Sequence, residues 1–352
     1  MLRQLARLTR AVPAAGPGAV ALAVYADADD TLVPARESGV EGVACVDDAA
    51  RALVLLCAVW EATELPWVRT WCDGLLSFVV WMQDDDGRWV NFVTDWDGER
   101  NRTGASSFAG GDFWQARALH AMAVAAIVLG DARAEVALRR GLASMPAPAP
   151  PDVRALHVMT ALELLRAGRL PNMRDQLTTW IDEMLACTGD GMLLNAPQET
   201  GTPHLWGHIQ EAVLADAAVL LGRDDVIAVA RRSAELVFAG VIESGFDLPR
   251  VQPYDVASAI QVMDRLHAVT GSARYADLAI MARSWFEGRN PAGQPVYDVG
   301  AGRVADGIDA GRVSSNSGAE ANIAAGEALL DRVLRLVPKA CPLLLPNGGG
   351  VA

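Results

Sequence analysis

From Val46 onward the apolar positions fall in stretches of about 14 to 20 residues separated by Gly and Pro, with little alternation of period two. The stretches are of two kinds, and the kinds take turns. The first kind is apolar almost all round after an acidic start, as a helix buried on every side must be. Six segments fit it, opening at Val46-Asp47-Asp48, Gly111-Asp112-Phe113-Trp114, Pro151-Asp152-Val153, Ile209-Gln210-Glu211, Pro253-Tyr254-Asp255 and Gly318-Ala319-Glu320. The second kind carries Arg, Asp or Glu along one face: Val68 to Met82, Asp131 to Ser144, Met173 to Leu185, Asp224 to Phe238 and Ala273 to Phe286. Leu2 to Thr9 or Asp331 to Leu336 supplies a sixth. Buried and amphipathic helices alternating in six hairpins predict an all-α fold, the (α/α)6 toroid.

Three long connections lead from an amphipathic helix to the next buried one: Gln83 to Gly110, Thr188 to His208 and Arg289 to Ser317. In a toroid all three emerge where the inner helices begin, so they are expected to build a site over that mouth. The expected organisation is an N-terminal segment over 1–40, the toroid over 41–338, and a flexible tail over 339–352.

Composition narrows the chemistry. A chain of 352 residues, 51% hydrophobic and 21% charged, has ample material for a core. The net charge of −13 repels a phosphate backbone, so no nucleic-acid partner is expected. The single lysine, Lys339, removes Schiff-base lysine chemistry and the phosphate-binding lysine of a P-loop. Five cysteines without a C-x-x-C pair suggest reduced core thiols. No G-x-S-x-G elbow, G-x-G-x-x-G turn or long apolar span appears, so the expectation is a cytoplasmic protein with no membrane segment, cofactor or metal.

The predicted mouth collects Asp47, Asp48, Asp112, Asp152, Glu211, Asp255 and Glu320. Each of these acids alone can cap a helix. Capping does not call for aromatic and polar neighbours, yet the same loops bring Trp89, Trp96, Trp114, Trp206, Tyr254, Tyr297, His204, His208 and Asn316. Rings that stack on a pyranose beside acids that take its hydroxyls suit an oligosaccharide or glycoside. Arg51 follows Asp47 and Asp48 at helical spacing and Arg117 comes soon after Asp112, so the two serve either as ion-pair partners or as substrate contacts. His204 and His208 lie in a Gly- and Pro-containing loop, which suits proton transfer better than metal binding.

Two stretches resemble a bacterial family of six-hairpin, glycosidase-like helical domains found alone or attached to glycosyltransferases. They are Gly42-Val-Ala-Cys-Val-Asp47-Asp48-Ala-Ala-Arg51, and Trp285-Phe-Glu-Gly-Arg-Asn290 through Tyr297-Asp298, Asp306-Gly307 and Asn316-Ser-Gly-Ala-Glu320. Ala49 stands where that pattern has Asn, and Ser317 where it has Gln. The resemblance implies a carbohydrate-active protein, with a glycosyltransferase as a partner. Hydrolysis by paired carboxylates is the first reading, with Asp48 and Glu320 the leading pair and Asp112 and Glu211 next. A non-catalytic sugar-binding or accessory domain and a sugar epimerase working through His204 and His208 are the alternatives.

Overall fold

The computed structural model describes residues 1–36, 41–145 and 149–337. Lys339, Cys341 and the tail expected over 339–352 lie outside the described residues.

In chain order the helices are α1 (Leu2–Leu8), α2 (Val46–Thr63), α3 (Pro66–Trp81), α4 (Asp112–Val128), α5 (Ala132–Ala143), α6 (Pro151–Arg166) and α7 (Met173–Ala186). They continue with α8 (Gln210–Leu221), α9 (Asp224–Ala234), α10 (Gly240–Glu243), α11 (Pro253–Thr270), α12 (Ala273–Ser284), α13 (Ala319–Ala328) and α14 (Leu330–Leu336). All six expected starts of the apolar class are found at α2, α4, α6, α8, α11 and α13. The strands are ribbons of two or three residues that tie the long connections together.

The chain divides into two compact units. The described residues within Met1–Ala147, Asp298–Ala305 and Ser315–Ala352 form the first, which holds the hairpins α2/α3, α4/α5 and α13/α14. There α13, α2 and α4 pack in succession, and α1 lies along α13. The second unit holds α6/α7, α8/α9 and α11/α12, with α6, α8 and α11 in succession. Three hairpins in each unit account for the alternation in the sequence.

Burial follows the two patterns. α4 buries eleven residues from Gln115 to Ala126 on all its faces, because partners surround it. α9 buries only Val226, Ala230, Ser233 and Ala234, a single stripe at helical spacing. α9 then runs through a π-helical turn, Glu235–Ala239, into α10. Cys45, Cys57 and Cys72 are buried, Cys187 is partly so, and all four are free thiols.

Candidate functional site

The start of α2 is fixed by the loop that precedes α4. Ala44–Cys45 pairs with Phe92–Val93, the Val46 N–H donates to the Asn91 carbonyl at 2.8 Å, and the Asp47 N–H donates to Asn91 Oδ1 at 3.1 Å. Cys45 is the N-cap, its sulfur accepting from the Asp48 N–H at 3.4 Å. With its backbone capped by sulfur and loop, α2 leaves both aspartate side chains for other partners.

Those partners are two arginines. Arg51 Nη2 lies 2.7 Å from Asp48 Oδ1, 3.2 Å from Glu320 Oε1 and 3.7 Å from Asp47 Oδ2. Arg117, one turn into α4, bonds Asp47 Oδ2 and stands over the Phe113 ring. Arg117 therefore serves Asp47 rather than Asp112, the partner expected for it from the sequence; Asp112 is exposed at the start of α4. The expected leading pair, Asp48 and Glu320, meets through one guanidinium nitrogen.

The neighbouring aspartates are driven in opposite directions. Desolvation pushes the Asp48 carboxyl up to about 6; Arg51 opposes it, and Asp47 and Glu320 reinforce it. Desolvation also works against ionised Asp47, but Arg117 and Arg51 together outweigh it and hold that carboxyl below its ordinary value. Sequence reasoning missed Glu327 on α13. Solvent reaches it, yet enough protein surrounds it that desolvation, against the pull of Arg51 and Arg117, raises it to about 7. Its one sequence signal is its position seven residues after Glu320.

The aromatic residues of this unit divide. Trp89 has no exposed surface; its ring lies against Gly141 and its Nε1 donates to the Val79 carbonyl at 2.9 Å. That corrects the expectation that Trp89 stacks on a sugar, since the indole is consumed by the core. Trp114 is partly exposed, donates to the Trp89 and Phe108 carbonyls and meets the Phe108 ring edge-on at 5.2 Å. Trp96 and Asn316 are partly exposed, and Glu320 keeps 35% of its side chain accessible.

The second unit gathers the remaining expected residues. Trp206 meets Tyr254 edge-on at 5.3 Å, and exposed His204 lies 6.0 Å from Trp206, centre to centre. Asp152 is buried, its carboxyl raised by desolvation and eased downward by the Val153 N–H, His204 and His208. Asp255 closes a capping box, its Oδ2 accepting the Gln252 N–H at 2.8 Å. Tyr297 is buried.

His208 and Glu211, both expected to face a ligand, have no exposed surface. His208 Nδ1 is 2.7 Å from Asn195 Oδ1 and its Nε2 is 3.0 Å from Glu211 Oε1, which also accepts from Ser233 Oγ at 2.5 Å. Asn195 Nδ2 donates to the His204 carbonyl at 3.1 Å, and Gln210 Nε2 donates to Asn195 Oδ1 at 2.8 Å. The arrangement clamps the 195–208 loop onto α8, and both ring nitrogens of His208 are occupied by it. This corrects the placement of His208 and Glu211 at a substrate surface. Among the described residues no group of three or more His, Cys, Asp or Glu is placed to hold a metal ion, and no helix is long and apolar enough to cross a membrane.

No protein-family model matches the chain, and no curated protein matches it. Solved structures do. The cellobiose 2-epimerase from Spirochaeta thermophila DSM 6192 superposes with a TM-score of 0.70 at 14% identity, over 95% of this chain and 94% of that one. A D-mannose isomerase gives a TM-score of 0.70 at 9% identity, over 95% of both chains. A family 76 glycoside hydrolase from a bovine Bacteroides thetaiotaomicron strain gives 0.63 at 11% identity, over 94% of this chain and 76% of that one. The fold is the six-hairpin (α/α)6 toroid. At these identities the toroid is what is shared, and the activity has to be argued from the side chains.

Proposed function

We propose that the chain is a carbohydrate-active enzyme, a glycoside hydrolase whose acid–base work is done by Asp48 and Glu320 around Arg51. One observation carries the reading: Arg51 holds Asp48, closed to water and raised to about 6, beside Glu320, which keeps 35% of its side chain open. Carboxyl groups in contrasting environments are what divides acid from base at one pH. Asp48, almost closed to water, holds its proton into the weakly acid range and donates it to the leaving glycosidic oxygen. Glu320, the more open of the two, attacks the anomeric carbon; water then releases the sugar, and Asp48 recovers the proton from it. Arg51 bonds both carboxyl groups and steadies whichever bears the charge. The Arg51 contacts bring the two close, which suits this direct attack better than the spacing of roughly 6.5–9.5 Å that inversion needs for an intervening water.

A second reading, sugar epimerisation, is favoured by exposed His204 lying within electrostatic reach of Asp152. The superposed epimerase and isomerase also span nearly the whole chain. Burial of His208 removes one of the two bases that this reading first invoked. A base on each face of the carbon is required, and His204 would need a partner other than His208.

Cellobiose and an α-linked mannobiose, incubated with the protein in heavy water, separate the readings. Hydrolysis releases monosaccharide; epimerisation leaves the disaccharide intact and places deuterium at C2. Asp48→Asn and Glu320→Gln are expected to lower release by about a hundredfold or more while each variant stays folded at the assay temperature. Release that survives both substitutions would refute the assignment.

A further inference from the structure

α13 is closed to solvent along its length except at two positions. Between Ala319 and Ala328, Glu320 is partly exposed, Glu327 is exposed, and the other eight residues are buried. Seven residues make almost two turns of α-helix, so Glu327 stands on the same side as Glu320, about 10 Å further along. α2 repeats the pattern: Asp47 and, seven residues on, Val54 are partly open in an otherwise buried stretch. On α4, Val124 is partly open, seven residues after Arg117. α13 and α2 abut at this lower level, because Gly326 lies against Leu55, where an added Cβ would come within 2.6 Å of Leu55 Cδ2. A layer composed of Val54, Val124 and Glu327 thus lies beneath the layer of Asp47, Asp48, Arg51, Arg117 and Glu320.

We propose that Glu327 determines specificity in the carbohydrate site assigned above, receiving an uncharged, hydroxyl-bearing sugar unit in this lower layer and excluding uronates. The inference rests on that assignment. Four carboxyl groups, Asp47, Asp48, Glu320 and Glu327, surround two arginines, and Asp47, Asp48 and Glu320 already engage both guanidinium groups. A uronate would bring a fifth carboxylate to a site with no surplus of positive charge. A hydroxyl meets no such penalty. Raised to about 7, the Glu327 carboxyl keeps its proton in weakly acid solution, so it can donate to one sugar oxygen and accept from a neighbouring hydroxyl. Val54 and Val124 offer apolar surface to the ring. The charged groups bearing on Glu327 are Arg51 of α2 and Arg117 of α4, with Glu320 two turns away on its own helix.

Tryptophan fluorescence titrations with cellobiose, an α-linked mannobiose and digalacturonate, near pH 6 and near pH 8.5, test this for wild type, Glu327→Gln and Glu327→Leu. Wild type is expected to bind a neutral disaccharide near pH 6, to bind it about tenfold more weakly near pH 8.5, and to ignore digalacturonate. Glu327→Gln, which keeps a donor and an acceptor, should bind at both pH values with the wild-type affinity seen near pH 6. Glu327→Leu should bind about tenfold more weakly already at the lower pH. Because Asp48 titrates nearby, retention of the full pH dependence in Glu327→Gln would assign that dependence to Asp48 and overturn the inference. Unchanged affinity in Glu327→Leu, or digalacturonate bound as tightly as a neutral sugar, would overturn it as well. Binding that ignores Glu327 removes this inference alone, whereas wild type that binds none of the three sugars removes the carbohydrate reading with it.

Discussion

Arg51 sets the character of the proposed site by meeting three carboxylates through one nitrogen. Desolvation still prevails at Asp48, whose carboxyl is raised to about 6. A carboxyl more basic in the folded chain than in the unfolded one supplies stability that is complete below the unfolded value near 4. That stability is lost as pH rises through 6. The difference amounts to about 3 kcal/mol for a group this buried. Asp48→Asn does not titrate, so its stability relative to wild type should improve by up to about 3 kcal/mol between pH 4 and pH 8. Urea unfolding at the two pH values measures this directly. A constant difference would mean that Arg51 neutralises Asp48 fully and that Asp48 holds no proton for catalysis.

At the scale of elements, Gly42 explains why its motif begins with glycine. Its φ is +151°, and a Cβ there would fall 2.1 Å from the Val93 carbonyl oxygen, in the ribbon that delivers Asp47 and Asp48 to the head of α2. Gly42→Ala should cost about 2–3 kcal/mol, combining backbone strain with overpacking, and should lower turnover through displaced aspartates. A Tm within a degree of wild type would show that the ribbon shifts freely. The helix starts were legible because an acid or proline before an apolar run marks a first turn whatever packs beyond it. Loop side chains were less legible. Nothing in the order Arg88-Trp89-Val90 tells that the indole turns inward, because the space for it is made by Gly141, far along the chain. Burial of His208 has the same origin: Asn195 and Glu211 meet it from two other segments, and Ser233 from a third holds Glu211 in place. Glu327 escaped notice because an isolated acid late in an inner helix reads as a frayed end until its seven-residue relation to Glu320 is taken into account.

For the molecule as a whole, alternating helix classes were enough to give the fold because six repeats of one pattern leave few other ways to bury so many helices apolar on all sides. Burying those helices also buries groups that titrate. His120 on α4 and His157 on α6 lie inside, and desolvation lowers their pKa values to about 4 and about 3, with Arg154 adding to the effect at His157. A histidine less basic in the folded chain than in the unfolded one costs nothing above the unfolded value of about 6.5. Below it the unfolded chain takes up the proton and the folded chain does not, so stability falls as pH drops toward 4. Asp48 and Glu327, both raised, act in the opposite sense over nearly the same range, which leaves the wild-type dependence on pH shallow. Removing one side should expose the other. His120→Leu puts an apolar side chain of similar bulk where desolvation is the cause of the shift. It should stay within about 1.5 kcal/mol of wild type at pH 7.5 and gain up to about 3 kcal/mol on it at pH 4. Unfolding by urea at both pH values provides the comparison. A variant that loses the same stability as wild type on acidification would show that His120 takes up a proton in the folded chain, and that α4 is less tightly enclosed than its packing indicates.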